Sequence, residues 1–140
     1  MLVGQIKGTI KDFAHSAKLA KEAGYDGVEI MGSEGYLINQ FSCVKVNKRT
    51  DEWGGSIENR MRLAVETVRA VRASAGDDFI IIFRLSMLDL VDVGISWQDG
   101  VTMAKGIEWA GATLVKTGIG WNKGYVTQRS TYVPLACNNT

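Results

Sequence analysis

The chain has 140 residues, of which 46% are hydrophobic and 22% charged, with 16 glycines, one proline and a formal net charge of +1. Such a composition excludes a disordered or collagen-like chain, and its dispersed, nearly balanced charge argues against nucleic acid or an anionic membrane as the main partner. No run approaches the roughly 18 apolar residues of a membrane span and the first residues lack a signal-peptide layout, so a single cytoplasmic domain with a real core is expected.

In chain order, Thr9-Ile-Lys-Asp12 reads as the capping-box start of a helix, with Phe13, Ala14, Ala17 and Ala20 on one face and Lys18, Lys21 and Glu22 opposite. The lone His15 falls among polar helix positions and reads as a surface residue. Gly24 closes this helix and "YDGVEIM" (25–31) reads as a strand. The stretch "GSEGY" (32–36) then breaks the apolar pattern and opens a long connection, 32–58. Within it "WGGS" (53–56) reads as a glycine-permitted turn before Ser56 caps the next helix. That second helix follows Asn59, carries Met61, Ala64, Val65, Val68 and Val71 at spacings of three and four, and ends at Gly76. "FIIIFRL" (79–85) is a continuous apolar run of the kind buried on both faces of a parallel sheet. Ser96, with Asp99 three residues on, opens a third helix with Val101, Ala104 and Ile107 facing inward. Gly100 and Gly106 weaken it by about 1 kcal/mol each relative to alanine. Gly111 stops it, and "ATLVKTGI" (112–119) is the third strand.

Helix and strand thus alternate three times with short helix-to-strand turns and long strand-to-helix loops, which defines a parallel α/β arrangement. In such folds the long loops form the ligand-binding rim at the carboxyl ends of the strands. Tyr36 after the first strand, Arg84 at the end of the second and Asn122 after the third all fall on that rim. A phenol suits proton donation to carbon, and a guanidinium inside an apolar strand demands an anionic or carbonyl partner. The residues alone leave the alternatives open. Tyr36 serves either as a donor or as a packing residue, and Arg84 either holds a ligand or pairs with Glu29 on the neighbouring strand. Glu34 reads as a solvated loop carboxylate. Cys43 and Cys137 stand far apart and form no C-x-x-C pair, so neither a disulfide framework nor a zinc site is indicated. There is no metal-ligand spacing, nucleophile elbow, P-loop or GxGxxG.

Four stretches together resemble a known family: "AGYDGVEIMGSEGYLINQF", "NKRTDEWGGSIENRMRLAVETVRAVR", "DFIIIFRLSMLDLV" and "GATLVKTGIGW". They are similar to the flavin-barrel part of bacterial-type 2,4-dienoyl-CoA reductases, of the Old Yellow Enzyme group of NADH:flavin oxidoreductases, over roughly residues 5 to 121. The MGSEG stretch points to the dienoyl-CoA branch, because ene-reductases of the group usually carry histidine and asparagine or a second histidine where Met31 and Glu34 stand here. The resemblance implies part of a (β/α)8 TIM barrel, about three parallel strand–helix units of the eight, with residues 1–121 as an FMN-binding segment and 122–140 as a diverged tail. It implies Tyr36 as proton donor, Arg84 as the cation at the FMN ring and Lys45 as a contact to an enoyl- or dienoyl-CoA ester. Asn122 replaces the histidine that partners the tyrosine, and Tyr125 replaces a substrate-contacting arginine. In such reductases NADPH reaches FMN through FAD and a 4Fe-4S cluster held in other parts of the chain. The implied activity is reduction of an activated C=C bond. The alternative is a non-catalytic fragment or association module that uses its exposed strand edges, with self-association as the expected result.

Overall fold

In the computed structural model, which describes residues 1–121, the three units assemble as a single parallel sheet in the order first, second, third. Helix α1 (Val3–Glu22) leads to strand β1 (Gly27–Gly32), and the long connection carries two short helices, α2 (Leu37–Ser42) and α3 (Ile57–Arg60). Helix α4 (Arg62–Ala75) precedes strand β2 (Ile80–Leu88), and α5 (Trp97–Trp109) precedes strand β3 (Leu114–Ile119). Ser56 caps α3 by accepting from the Asn59 N–H, and Ser96 caps α5 by accepting from the Asp99 N–H at 3.1 Å.

Two expectations about the elements are corrected. Helix α1 begins at Val3, not at Thr9, because Gln5 Oε1 accepts the Leu2 N–H at 2.8 Å and Ile6 and Ile10 already anchor its buried face. Thr9 lies inside the helix with its hydroxyl donating back to the Gln5 carbonyl. Strand β2 is not buried on both faces. Ile81, Phe83 and Leu85 are buried against the helices, whereas Ile80 on the other face is 43% exposed.

That second face is the one from which Arg84 projects. Parallel pairing aligns Glu29 with Ile82 and Leu114, and Met31 with Arg84 and Lys116, so each row presents three side chains to the same side. Lys116 reaches across to Glu29 at 3.1 Å. The buried side is closed by α1 lying along α4 and by α5 on β2. The two glycines of α5 permit this approach. A Cβ on Gly100 would stand 3.2 Å from Met87 Cε, and one on Gly106 would stand 3.3 Å from Met61 Cε. Their helix-propensity cost is offset by close packing.

At the amino-terminal end of the sheet a single side chain ties the turns together. Arg72 in α4 donates to the carbonyls of Gly76, Phe79 and Gly111, at 2.7, 2.6 and 2.8 Å, and to the Thr113 hydroxyl at 3.0 Å. The turns leaving α4 and α5 therefore share one guanidinium.

The stretch 47–62 is a polar knot. Asn47 donates to the carbonyls of Phe41 and Trp53, Arg49 forks onto Asp51, and Asn59 donates to the Gly54 carbonyl. Arg60, 6% exposed, donates to the carbonyls of Ser42 and Gly55 and pairs with Asp99 at 2.9 Å. The hydrogen bond from Arg49 holds the Asp51 carboxyl below the usual carboxylate range. Its contribution to stability is therefore complete at neutral pH and is lost as pH falls through that depressed value. Gly54 sits so close to Arg49 that a Cβ would collide with its carbonyl oxygen and lie 2.6 Å from its Cβ. Gly54→Ala is accordingly expected to destabilise the chain by about 1–3 kcal/mol. Gly8→Ala, in α1 with open space around it, should instead stabilise by up to about 1 kcal/mol. Urea unfolding of the two variants measures both signs.

Candidate active site

Strand β1 ends at Gly32, and the next four residues are held by sterics and hydrogen bonds. Ser33 is fully buried. Glu34 and Gly35 both adopt left-handed backbone, φ 61° and 81°, which turns the chain back over the sheet. For glutamate this conformation is uncommon and carries strain of the kind found at functional sites. The turn lets Glu34 form a parallel bridge with Trp121, just beyond β3. Gly35 passes under that indole so closely that a Cβ would lie 2.5 Å from Trp121 Cε2. Tyr36 then caps α2, 46% exposed.

Arg84, on β2 between these two loops, donates from Nη2 to Glu34 Oε1. The pair is about one-quarter exposed on each side. Glu29 is not the partner of Arg84, since Lys116 occupies it, and Glu34 is not a solvated loop carboxylate. Arg84 Nε is buried and meets no acceptor among the described residues. The guanidinium thus retains donor capacity after its ion pair is made, which fits a ligand edge rich in oxygen or nitrogen acceptors.

Beneath this rim lies a buried polar network. Asp89, 2% exposed, accepts from Ser86 Oγ at 2.7 Å, from Asn39 Nδ2 at 3.0 Å and from the Ile95 N–H at 2.9 Å. Asn39, itself fully buried, accepts the Gly35 N–H at 2.7 Å, and Gln40 donates to the Gly35 carbonyl at 2.7 Å. Both sides of the Gly35 peptide are therefore gripped by α2. The loop following Asp89 contains two more left-handed residues, Leu90 (φ 54°) and Val93 (φ 58°).

The structure pairs Arg84 with Glu34 and sets Tyr36, two residues further on, at the head of α2; the sequence had singled out Tyr36 and Arg84 for chemistry. Lys45 is exposed in the loop after α2, and its backbone N–H donates to the Val93 carbonyl. Asn122 and Tyr125 lie outside the described residues. Sequence reasoning missed Asn39 and Asp89. A signal for Asp89 was present, since a carboxylate within the apolar run "SMLDLV" demands buried donors just as Arg84 demands an acceptor. Among the described residues no group of three or more His, Cys, Asp or Glu could hold a metal ion, and no helix is long and apolar enough to cross a membrane.

A parallel sheet with its polar rim built from the loops after successive strands defines an α/β enzyme-like site. The chain belongs to the NADH:flavin oxidoreductase / NADH oxidase family, whose sequence model matches residues 1–137. It is 37% identical over 120 residues to an NADH oxidase of Thermoanaerobacter brockii, a match that spans 86% of this chain and 18% of the relative. Among solved structures it superposes on a 2-naphthoyl-CoA reductase in complex with 2-naphthoyl-CoA, with a TM-score of 0.82 and 35% identity, covering 86% of this chain and 18% of that one. An Old Yellow Enzyme homologue from Zymomonas mobilis gives a TM-score of 0.76 at 28% identity, covering 89% and 36%. The chain therefore spans between about a fifth and about a third of these proteins, and its three parallel units are a partial (β/α)8 barrel.

Cys43, buried beside the network, has its thiol pushed up by burial first and by the negative charge of Asp89 second. At neutral pH the thiol is protonated in both folded and unfolded chains and costs nothing; as pH rises through the ordinary thiol range the unfolded chain ionises while the folded state keeps its proton, so stability falls there. In the folded protein at pH 8, iodoacetamide is expected to leave Cys43 unmodified, and denaturant should expose it. Peptide mass mapping distinguishes Cys43 from Cys137, and rapid labelling of Cys43 in the folded state would contradict its placement.

Proposed function

We propose that this chain forms the proton-donor wall of an FMN-dependent, NAD(P)H-driven reductase of activated C=C bonds, with a 2,4-dienoyl-CoA or related enoyl thioester as substrate. One observation carries the reading: the rim combines an accessible phenol, Tyr36, with a guanidinium, Arg84, whose ion pair with Glu34 leaves donor capacity unused. Family membership supports flavin chemistry. The CoA ester in the similar 2-naphthoyl-CoA reductase supports a thioester substrate.

When bound, FMN supplies the hydride that adds to the far end of the conjugated system. The residues described here fit one edge of such a ring, because Arg84 offers donors on the uncovered face of the sheet. The chain's own task is the proton. Reduction leaves electron density on the carbon beside the thioester carbonyl, and the Tyr36 phenol donates to that carbon. Arg84 lowers the cost of the negative charge left on this rim, and Glu34 keeps its guanidinium oriented. Lys45, exposed on the neighbouring loop, would attract the anionic groups of the CoA moiety. Asn122 would add an uncharged donor next to the phenol and Tyr125 a further substrate contact.

Titration with FMN, followed by flavin absorbance, is expected to give a stoichiometric yellow protein. Tyr36→Phe should then leave flavin reduction by NAD(P)H nearly intact and slow reoxidation by the enoyl-CoA substrate by roughly 10²–10⁴-fold. Equal losses in both half-reactions would assign Tyr36 to folding, and failure to take up flavin would remove the basis of the reading.

A second reading has its own observation. Ile80, Leu114 and Ile119 are 43%, 53% and 49% exposed on β2 and β3, and β1 and β3 are the edges of the sheet among the described residues. On this reading the chain self-associates through apolar strand surface. Sedimentation should show mass increasing with concentration, and a monomer at all concentrations would rule it out.

A further inference from the structure

Tyr36 is the group to which the proposed reaction assigns proton transfer, yet the hydrogen bonds beneath the turn that carries it converge on a different residue, Asp89. The Gly35 N–H, one peptide before Tyr36, is accepted by Asn39 Oδ1 at 2.7 Å. The other end of that amide donates to Asp89 Oδ1 at 3.0 Å, and the same oxygen accepts from Ser86 Oγ at 2.7 Å. Ser86 stands two residues beyond Arg84 on β2. One carboxylate therefore links the turn that presents Tyr36 to the strand that presents Arg84, and its second oxygen holds the Ile95 N–H at 2.9 Å.

Burial makes this link rigid. Asn39 and Ser86 are fully buried and Asp89 nearly so, and in such surroundings a paired carboxylate strengthens each bond it accepts. The backbone records the tension. Among the described residues the non-glycine residues with left-handed φ are Glu34, Leu90 and Val93, and all three fall in the two loops that this carboxylate joins. A β-branched residue such as Val93 adopts that conformation only when its surroundings impose it. The room around Asp89 is also closed, since a Cβ on Gly94 would lie 2.9 Å from its Cβ.

We infer that Asp89 is a positioning residue for the site: acting through Asn39, it fixes the Gly35 peptide and so sets the Tyr36 phenol relative to the Glu34–Arg84 pair. The inference rests on the proposed reductase reading for its functional meaning, while its structural content stands on the clamp alone. Asp89 touches neither substrate nor cofactor in this scheme. Its effect is on the placement of the proton donor, where a shift of about 1 Å can cost roughly 10²-fold in rate.

Two variants test it in the FMN-loaded protein, with amide exchange read on the flavin-free protein as well. Asn39→Ala removes the acceptor of the Gly35 N–H and leaves Asp89 with Ser86 and Ile95. Asp89→Asn keeps one acceptor oxygen but cannot accept from the Ile95 N–H. Exchange of the Gly35 amide should speed up by roughly tenfold or more in Asn39→Ala and less in Asp89→Asn, with the amides of β2 and α4 unchanged. Reoxidation by the enoyl-CoA should slow by roughly 10- to 100-fold in the same order, and flavin reduction by NAD(P)H should not change. Unchanged Gly35 exchange in two folded variants would overturn the clamp and leave the reductase reading standing. General loss of protection across β2 and α4 would make Asp89 and Asn39 structural and overturn a positioning role. Faster Gly35 exchange in a protein that takes up no flavin would retain the clamp and overturn the reading of what it serves.

Discussion

The rim is organised by the demand of one charge. Arg84 lies in the central strand of the sheet, flanked in its row by Met31 and Lys116, neither of which can neutralise it. The carboxylate on the same face of β1, Glu29, is held by Lys116, so the anion comes from outside the strands, and Glu34 supplies it by folding back over the sheet in a left-handed turn. That turn in turn requires a residue without a side chain at position 35, because the Trp121 indole fills the space a Cβ would take. Tyr36 inherits its place at the head of α2 from this sequence of constraints. Charge in β2 thereby determines backbone geometry after β1 and packing after β3.

The second organising feature is the knot at 47–62. Asn47, Arg49, Asp51, Asn59 and Arg60 form a long polar pattern of the sort that invites a ligand-binding interpretation. Their hydrogen bonds run to backbone carbonyls and to one another, so this stretch supplies the carbonyl partners that a long connection lacks when it has neither strand nor helix. Its job is to let residues 43–56, the 14 positions between α2 and α3, pack without regular structure, and Arg60 extends that support to α5 through Asp99.

Most of the fold was legible in the sequence. Periodicity and caps located the main helices, including Ser56 and Ser96 as caps, and the apolar runs located all three strands. The start of α1 was not legible, because a cap made by Gln5 on a leucine carries no Ser, Thr, Asp or Asn signal, whereas Thr9 and Asp12 imitate one. The uncovered face of β2 was hidden as well, since isoleucines at 80 and 82 read the same whether or not anything covers them. At the site, Tyr36 and Arg84 stood out by chemical type. The Glu34 pairing did not, because register places Glu29 on the adjacent strand in the same face and local sequence cannot show that Lys116 claims it. Asn39 and Asp89 are 50 positions apart and are joined only by tertiary structure.

The two ends of the sheet are held by different means. At the amino-terminal end Arg72 gathers carbonyls of two turns, those leaving α4 and α5, into one guanidinium, and no residue assigned to chemistry takes part. Exchange of side chains on the opposite rim can therefore proceed without loosening that fastening. Anchorage and reactivity are thus separable properties of this sheet: a change that disturbs the Glu34–Arg84 rim leaves the carbonyls held by Arg72 with the same donor.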